Sequence, residues 1–474
     1  MNQRYVYPFL GLFTIFLPLF LWSLNSPFIE PNTAFFKQPF SLFGFCISVL
    51  VIVIAYFEFK KLKPKSLNQI IPILLPLLLS VYFLFLILEY SERTYDYFAY
   101  ENAAKAILEG TNPYITRPPY LYPPLTAQIM ATVYNLIEKG FSIISRDITV
   151  VGWFIVFYLY HTTQFFLIII AYLLCYKMVD NLCNNKYYSS LLVTIIFFIN
   201  YPLIITLKNG QVNLWMLILY LVAIVLVDSH PICSGLAISL GINIKIYPVI
   251  LLLAFGVLKK RLAIIGTIVS CLGIVYIQTN FGKNWNLWLY FFEYFRDFPK
   301  KISFNNNSLH SIIYNVFKLV GISESLVDIS VYVVSFAIFV WFIVRFTQRE
   351  KVYYSMMTVN KTEINTLRSE KFRLYGHSMD ALALSLMISP SVWSHHYVLA
   401  IPIVLWAFVT IGYAKPWQVC LGTFLMLSIP AFNLFPFGYH RIIGLLIIMY
   451  LTNPKNILAI WKTKPYSLPL KADL

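Results

Sequence analysis

Apolar runs of roughly twenty residues recur along this chain, and most of its charged residues sit in the short stretches between them. A backbone in hydrocarbon must satisfy its own N–H and C=O groups, so runs of this length point to a bundle of spanning helices. The first run, YPFLGLFTIFLPLFLWSLN, has full length and no small-residue cleavage signal, and it reads as an uncleaved span, not a signal peptide. Only 12% of the residues are charged, against about 25% in soluble domains, so most of the surface cannot face water. The chain is an all-α polytopic membrane protein on this reading.

The net charge of +16 does not point to nucleic acid. Lysine and arginine gather beside apolar segments, in KKLKPK (60–65), KKR (259–261) and the tail KTKPYSLPLK, which is the pattern that sets orientation, with some attraction to anionic lipid. The six cysteines (46, 175, 183, 233, 271 and 420) are dispersed and read as small buried hydrophobes; no spacing suggests a disulfide framework or a metal site.

Spans are expected at 8–24, 40–58 and 70–90, with KKLKPK, KKR and the basic stretch 345–373 in the cytoplasm. The third span then delivers Asp96 to the extracytoplasmic side. Segment 121–138 opens with YPPL and carries Gln128, Asn135 and Glu138. It is expected to lie along the interface, although a crossing also satisfies most anchors. Segments 151–175, 188–207 and 213–228 read as crossings joined by loops, among them KMVDNLCNNK (176–186). The run 232–258 is expected to split at Lys245, because a lysine inside hydrocarbon costs about 2.5–3.5 kcal/mol and a hairpin tip removes most of that cost. Beyond 262–279 come a long outer loop (280–325) and spans at 326–344, 378–394, 397–412, 417–434 and 438–452, with a polar loop at 346–376. The total is about 14 crossings with both termini cytoplasmic. The chain reads as an N-terminal hairpin and basic loop (1–69), a catalytic membrane module (70–280), an aromatic outer loop (281–325) and a C-terminal membrane module with its tail (326–474).

On this topology the unusual polar groups collect on one face: Asp96, the turn Tyr122–Pro124, KNGQVN (208–213), Lys245, FNNNSLH (304–310) and SPSVWSHHY (389–397). Each has an ordinary reading as a solvated boundary residue, a turn or a snorkelling lysine. AYENAAKAILE fits an amphipathic helix with Tyr100, Ala103 and Ile107 on one face and Glu101, Lys105 and Glu109 elsewhere. Taken together, the groups suit a site that deprotonates a hydroxyl at one end and receives a phosphate at the other. No Gly-rich phosphate loop or nucleotide fingerprint is present, which argues against a nucleotide-sugar donor. A transporter or flippase of a lipid-linked sugar is the main alternative, but it would place its ionisable groups near the bilayer midplane. A non-catalytic scaffold for an envelope-polymer complex is a second.

In order along the chain, Asp96, the turn GTNPY, YPPL, GQVN, SGLAISLGINIKIYP, NNS and SPSVWSHHY resemble glycosyltransferase family 87, from about residue 90 to about residue 450. The resemblance implies a GT-C-type multi-span fold with interfacial helices in the first catalytic loop. It also implies an inverting hexosyltransferase, drawing on a polyprenyl-phosphate sugar, most simply mannose, without metal or cofactor. The acceptor would be a lipid or glycan, and the partners membrane lipids, not nucleic acid. By position, Asp96 matches the base, one of His395 and His396 an active-site histidine, and Lys245 a cation near the donor phosphate. Tyr95, Tyr122, Gly210, Gln211, Asn307, Ser308 and Trp393 complete the expected substrate-binding set. Two departures stand out: Asp96 follows the third span here instead of the first, and Asn306 or Asn307 stands where glutamine is frequent.

Overall fold

A computed structural model of the chain describes residues 78–79, 82–83, 94–141, 149–296, 303, 305–359, 363–432 and 434–463. The expected spans at 8–24 and 40–58 lie outside the described residues, as does most of 70–90. The helices are α1 (Tyr95–Leu108), α2 (Leu125–Phe141), α3 (Thr149–Cys183), α4 (Lys186–Phe198), α5 (Tyr201–Lys208), α6 (Asn213–Leu226), α7 (Pro231–Ile244), α8 (Leu251–Val257) and α9 (Arg261–Gln278). There follow α10 (Asn286–Arg296), α11 (Leu309–Val320), α12 (Val327–Val359), α13 (Glu363–Ile388), α14 (Ile401–Ile411), α15 (Pro416–Thr423), α16 (His440–Leu451) and α17 (Pro454–Thr463). No β-strand occurs among the described residues.

Four of these helical stretches are long and apolar enough to cross a membrane: Val151–Cys183, Arg261–Gln278, Glu324–Ser355 and Ser394–Ile411. The bent pair α4 and α5 makes a fifth if counted as one span, and Asn213–Leu226, Pro231–Ile244, Tyr247–Val257, Leu309–Val320 and Phe437–Leu451 are shorter apolar helices. The protein is therefore an all-helical membrane protein. Helix α2 is not among the candidates; its buried Ala127, Met130, Ala131 and Tyr134 lie on one face, with Ile129 and Leu136 exposed on another.

Four elements depart from the sequence expectation, each for a local reason. The expected loop 176–186 is mostly helix: α3 runs on to Cys183 because nothing in KMVDNLC breaks it. It ends where Asn184 adopts a left-handed φ of 51° and Asn185 caps α4 through Tyr188 N–H. The expected span 188–207 bends by 57° between α4 and α5, where Asn200 Oδ1 accepts from Leu203 N at 2.8 Å. The segment 280–325, expected to be an outer loop, contains α10 and α11. The expected loop 346–376 is largely two helices, α12 and α13, held by ion pairs that hydropathy does not register. Arg345 and Arg349 share Asp380 at 2.7 Å each, and Glu350 accepts from Arg373 and from His377.

The described residues form two compact units. One comprises the described residues of 83–171 and 204–299, the other those of 78–82, 172–203 and 303–463. In the first, the hairpin of α7 and α8 breaks at Lys245, whose backbone is extended, and Pro248 sits in the short 3-10 turn that starts the return. Helix α7 packs closely on α9 at Gly235: a Cβ there would lie 2.5 Å from the Ala263 carbonyl oxygen, so only glycine permits the approach. In the second unit α12 pairs with α13 and α15 with α16, around a core that includes Trp406, Phe372 and the fully buried α14.

Candidate functional site

In the first unit, four separated stretches build one polar cage. Helix α1 places Asp96 and Tyr100 a turn apart on the same face. Tyr100 is fully buried and Asp96 is partly exposed. The turn before α2 contributes Tyr122, and the turn between α5 and α6 contributes Gly210, Gln211 and Asn213. Gly210 takes a left-handed φ of 61°, and a Cβ there would come within 3.3 Å of Tyr97 Cβ, so glycine answers both conformation and space. The break after α7 contributes Lys245.

The contacts between these groups are specific. The hydroxyls of Tyr100 and Tyr122 each donate to Gln211 Oε1 at 3.2 Å. That fixes the side-chain amide and leaves Gln211 Nε2 without a hydrogen bond to any described residue. Tyr160 of α3 donates to the Gly210 carbonyl at 2.7 Å, which pins the turn from the other side. Lys245 is 4% exposed; its Nζ donates to Asn213 Oδ1 at 2.6 Å and lies 4.7 Å from the centre of the Tyr122 ring.

Charge couples the cage. Burial pushes the Lys245 ammonium down to about 7, opposed by the negative charge of Asp96. Burial raises the Tyr100 and Tyr122 hydroxyls, and the carboxylate of Asp96 adds to both shifts. Asp96 and Lys245, 149 positions apart in sequence, therefore stand within electrostatic reach of each other. Next to the cage, His161 and Gln164 lie on one face of α3; His161 Nε2 and Gln164 Oε1 are buried without a hydrogen-bond partner among the described residues, and Gln164 Nε2 donates to the Gln211 carbonyl at 3.5 Å.

Other expected residues fall elsewhere. Tyr95 opens α1, and its side chain lies outside the described residues. Glu101, expected away from the apolar face of α1, is fully buried and paired at 2.7 Å with Lys105, whose Nζ lies over the Trp153 ring. Trp393, His395, His396, Asn307 and Ser308 belong to the second unit. There the turn 392–396 folds on itself, Trp393 N donating to His396 Nδ1 at 3.0 Å, and the two imidazoles meet edge to face at 4.6 Å. Asn306 and Asn307 rivet this turn. Asn306 Oδ1 accepts from Val392 N, Asn307 N donates to the Val392 carbonyl, and the Asn307 side chain bonds the Gly438 carbonyl and Ile442 N. Ser308 caps α11 by accepting from Ser311 N. These side chains spend much of their hydrogen-bonding capacity on the backbone.

Sequence reasoning did not single out Asn213, Tyr160, His161 or Gln164. Asn213 stood inside the GQVN stretch, but a tyrosine, a histidine and a glutamine on an apolar helix carry no spacing signal. No group of three or more potential metal ligands occurs among the described residues.

The model of glycosyltransferase family 87 matches residues 120–366, just over half of the chain. The chain belongs to glycosyltransferase family 87. For this family-87 protein the matched residues include Tyr122, Gly210, Gln211, Lys245, Asn307 and Ser308, while Asp96, His395 and His396 fall outside them. No curated protein and no solved structure matches the chain. The protein is a membrane glycosyltransferase.

Proposed function

We propose that this glycosyltransferase moves a sugar, mannose in the first instance, from a polyprenyl-phosphate carrier to a hydroxyl of a lipid or glycan acceptor at the extracytoplasmic face. The observation that carries this reading is the cage itself: a partly exposed carboxylate and a buried ammonium, brought together with an unengaged amide donor at Gln211. A tether has no use for a lysine held at 4% exposure against a carboxylate's field.

The reaction divides between the two ends. Asp96 takes the proton of the acceptor hydroxyl as its oxygen attacks the anomeric carbon. The new C–O bond forms opposite the leaving group, and the bond from anomeric carbon to phosphate oxygen breaks, its electron pair going to the lipid phosphate. Lys245 and Gln211 Nε2 face the charge that develops there, where fixed donors count most. Tyr100, Tyr122 and Asn213 orient these two donors and do not react. A single displacement inverts the centre, so a β-linked donor gives an α-linked product, and the energy comes from the sugar–phosphate bond. His395 or His396 enters the proposal through the resemblance alone.

The test is transfer of radiolabelled sugar by purified enzyme and two variants. Asp96→Asn keeps the shape and removes the base, and transfer is expected to fall about 10²–10⁴-fold, with partial retention in Asp96→Glu. Full transfer by Asp96→Asn, or a product of unchanged anomeric configuration, would overturn the mechanism.

A further inference from the structure

Helix α10 carries a face that sugar transfer does not use. Helix α9 before it is long and apolar enough to cross the membrane, and Ile265, Val269, Leu272 and Tyr276 lie exposed along one side of it, as lipid contact requires. Past Gln278 the chain turns sharply. Asn280, Phe281 and Gly282 take left-handed φ values of 49°, 58° and 81°, and the Phe281 ring folds back on Tyr276 at 5.6 Å. Asn286 opens α10 only eight residues beyond the end of α9, so α10 begins near the level where α9 leaves the hydrocarbon. Side-chain amides mark that level, Gln278 Nε2 donating to Gln128 Oε1 of α2 at 2.8 Å.

The sequence NLWLYFFEYFR divides α10 into three flanks. Trp288 and Phe291 are buried against the protein, and the Phe291 and Tyr294 rings lie 5.9 and 5.6 Å from Tyr114. Trp285, just before the helix, Leu289 and Phe292 follow one another up a second flank and are 49%, 55% and 58% exposed. Asn286 and Glu293, also exposed, form a polar edge beside them. Eleven residues give about 16 Å, half of what a crossing needs, so α10 does not span. An apolar flank with a polar edge on so short a helix fits the interface plane. Lys283 and Arg296, exposed at its two ends, put cations where headgroup phosphates lie.

We infer that α10 docks on the lipid surface at the cage's end of the protein, with Trp285, Leu289 and Phe292 among the upper acyl chains and Glu293 in water. Lipid, not a second protein, is the occupant because the face continues the lipid-facing side of α9: Tyr276, Ile277, Phe281 and Trp285 are all exposed. A consequence for the cage rests on the proposed function. Tyr114, held under α10, donates its hydroxyl to the Tyr122 carbonyl at 3.0 Å, so the depth of α10 sets that of Tyr122 and of the groups meant for a lipid phosphate.

The experiment reads depth in the full chain, its native cysteines replaced by alanine, in phosphatidylcholine vesicles with a bimane label at Phe292→Cys or Glu293→Cys. A lipid nitroxide near the glycerol end of the acyl chain is expected to quench position 292 about threefold more than position 293, as insertion by about 5–10 Å requires. Aqueous iodide should quench in the reverse order. Equal iodide quenching at the two positions would put the flank in water. Stronger quenching of position 292 by a nitroxide at the chain terminus would put it deep in the hydrocarbon, and shielding from both quenchers would mean that protein covers it. Each of these three results overturns the docking. If the cysteine-free chain does not fold, the unaltered protein is irradiated in vesicles of a lipid bearing a diazirine near its glycerol. Adducts are then expected on Trp285, Leu289 or Phe292, and no adduct there overturns the docking. No readout depends on sugar transfer, so the docking and the proposed function fail separately.

Discussion

Among the described residues Asp380 is the single counter-ion of Arg345 and Arg349, which makes its removal quantitatively informative. Arg345 donates to Oδ1 from Nε and Nη2 at 3.2 and 2.7 Å, and Arg349 to Oδ2 from Nε and Nη2 at 3.1 and 2.7 Å. Asp380→Leu replaces the carboxylate with a somewhat larger apolar side chain and strands both guanidiniums. Breaking a buried pair by removing one partner costs about 3–5 kcal/mol. The two arginines are not equally exposed to that loss. Arg345 keeps hydrogen bonds from Nη1 to the Met449 carbonyl and from Nη2 to the Thr452 carbonyl. Arg349 keeps none: Nε and Nη2 bonded only Asp380, and Nη1 was unpaired already. The account therefore assigns the larger share to Arg349. Folding free energy is read by denaturing-detergent titration in mixed micelles. Asp380→Leu should lose about 3–5 kcal/mol, Arg349→Met added to it should recover most of that, and Arg345→Met added instead should recover less. A loss under about 1 kcal/mol, the value typical of exposed pairs, would refute the claim that these charges are buried together. Equal rescue by both methionines would refute the unequal sharing.

Three further outcomes are expected. The Lys245 amine, pushed down to about 7 by burial, is charged below that pH and neutral above it, so kcat/KM should fall as pH rises through about 7. Lys245→Arg, whose guanidinium stays charged, should flatten that fall, and a profile identical in the two enzymes would show that the charge is not used. Asn307→Ala leaves Ile442 N and the Gly438 carbonyl short of their side-chain partner and should destabilise the protein by about 1–3 kcal/mol by the same titration, wild-type stability contradicting the rivet. Gly210→Ala forces a side chain into a left-handed turn against Tyr97, at about 1–2 kcal/mol. It should raise KM for the donor more than it lowers kcat, and unchanged kinetics would place Gln211 outside the site.

Much of this site was legible because its chemistry is punctuated by breaks in apolar periodicity. The split at Lys245 follows from the cost of a charge in hydrocarbon, and the structure breaks the helix at that residue. Glycine in KNGQVN marks a turn, and the turn takes the left-handed φ that glycine permits. What hydropathy could not show is pairing at a distance. Arg349, Arg373 and Glu350 read as the polarity of the expected loop 346–376 and Asp380 as part of the expected span 378–394, because sequence gives no sign that these charges pair across two helices. Glu101 misled in the same way: four residues from Lys105, it looks like half of an exposed pair, yet it is fully buried while its lysine partner stays exposed. Asn213 and Tyr160 are ordinary residues whose roles come from the neighbours that the fold supplies.

The central claim is that the sugar leaves a lipid phosphate and that this protein's own side chains carry the charge. The most direct measurement incubates purified enzyme with radiolabelled polyprenyl-phosphate-mannose and membrane-lipid acceptors in excess EDTA, beside a parallel reaction given a nucleotide sugar. The account predicts label in the acceptor from the polyprenyl donor, undiminished by EDTA, and none from the nucleotide sugar. Transfer from the nucleotide sugar alone, or transfer that EDTA abolishes and a divalent cation restores, would contradict it.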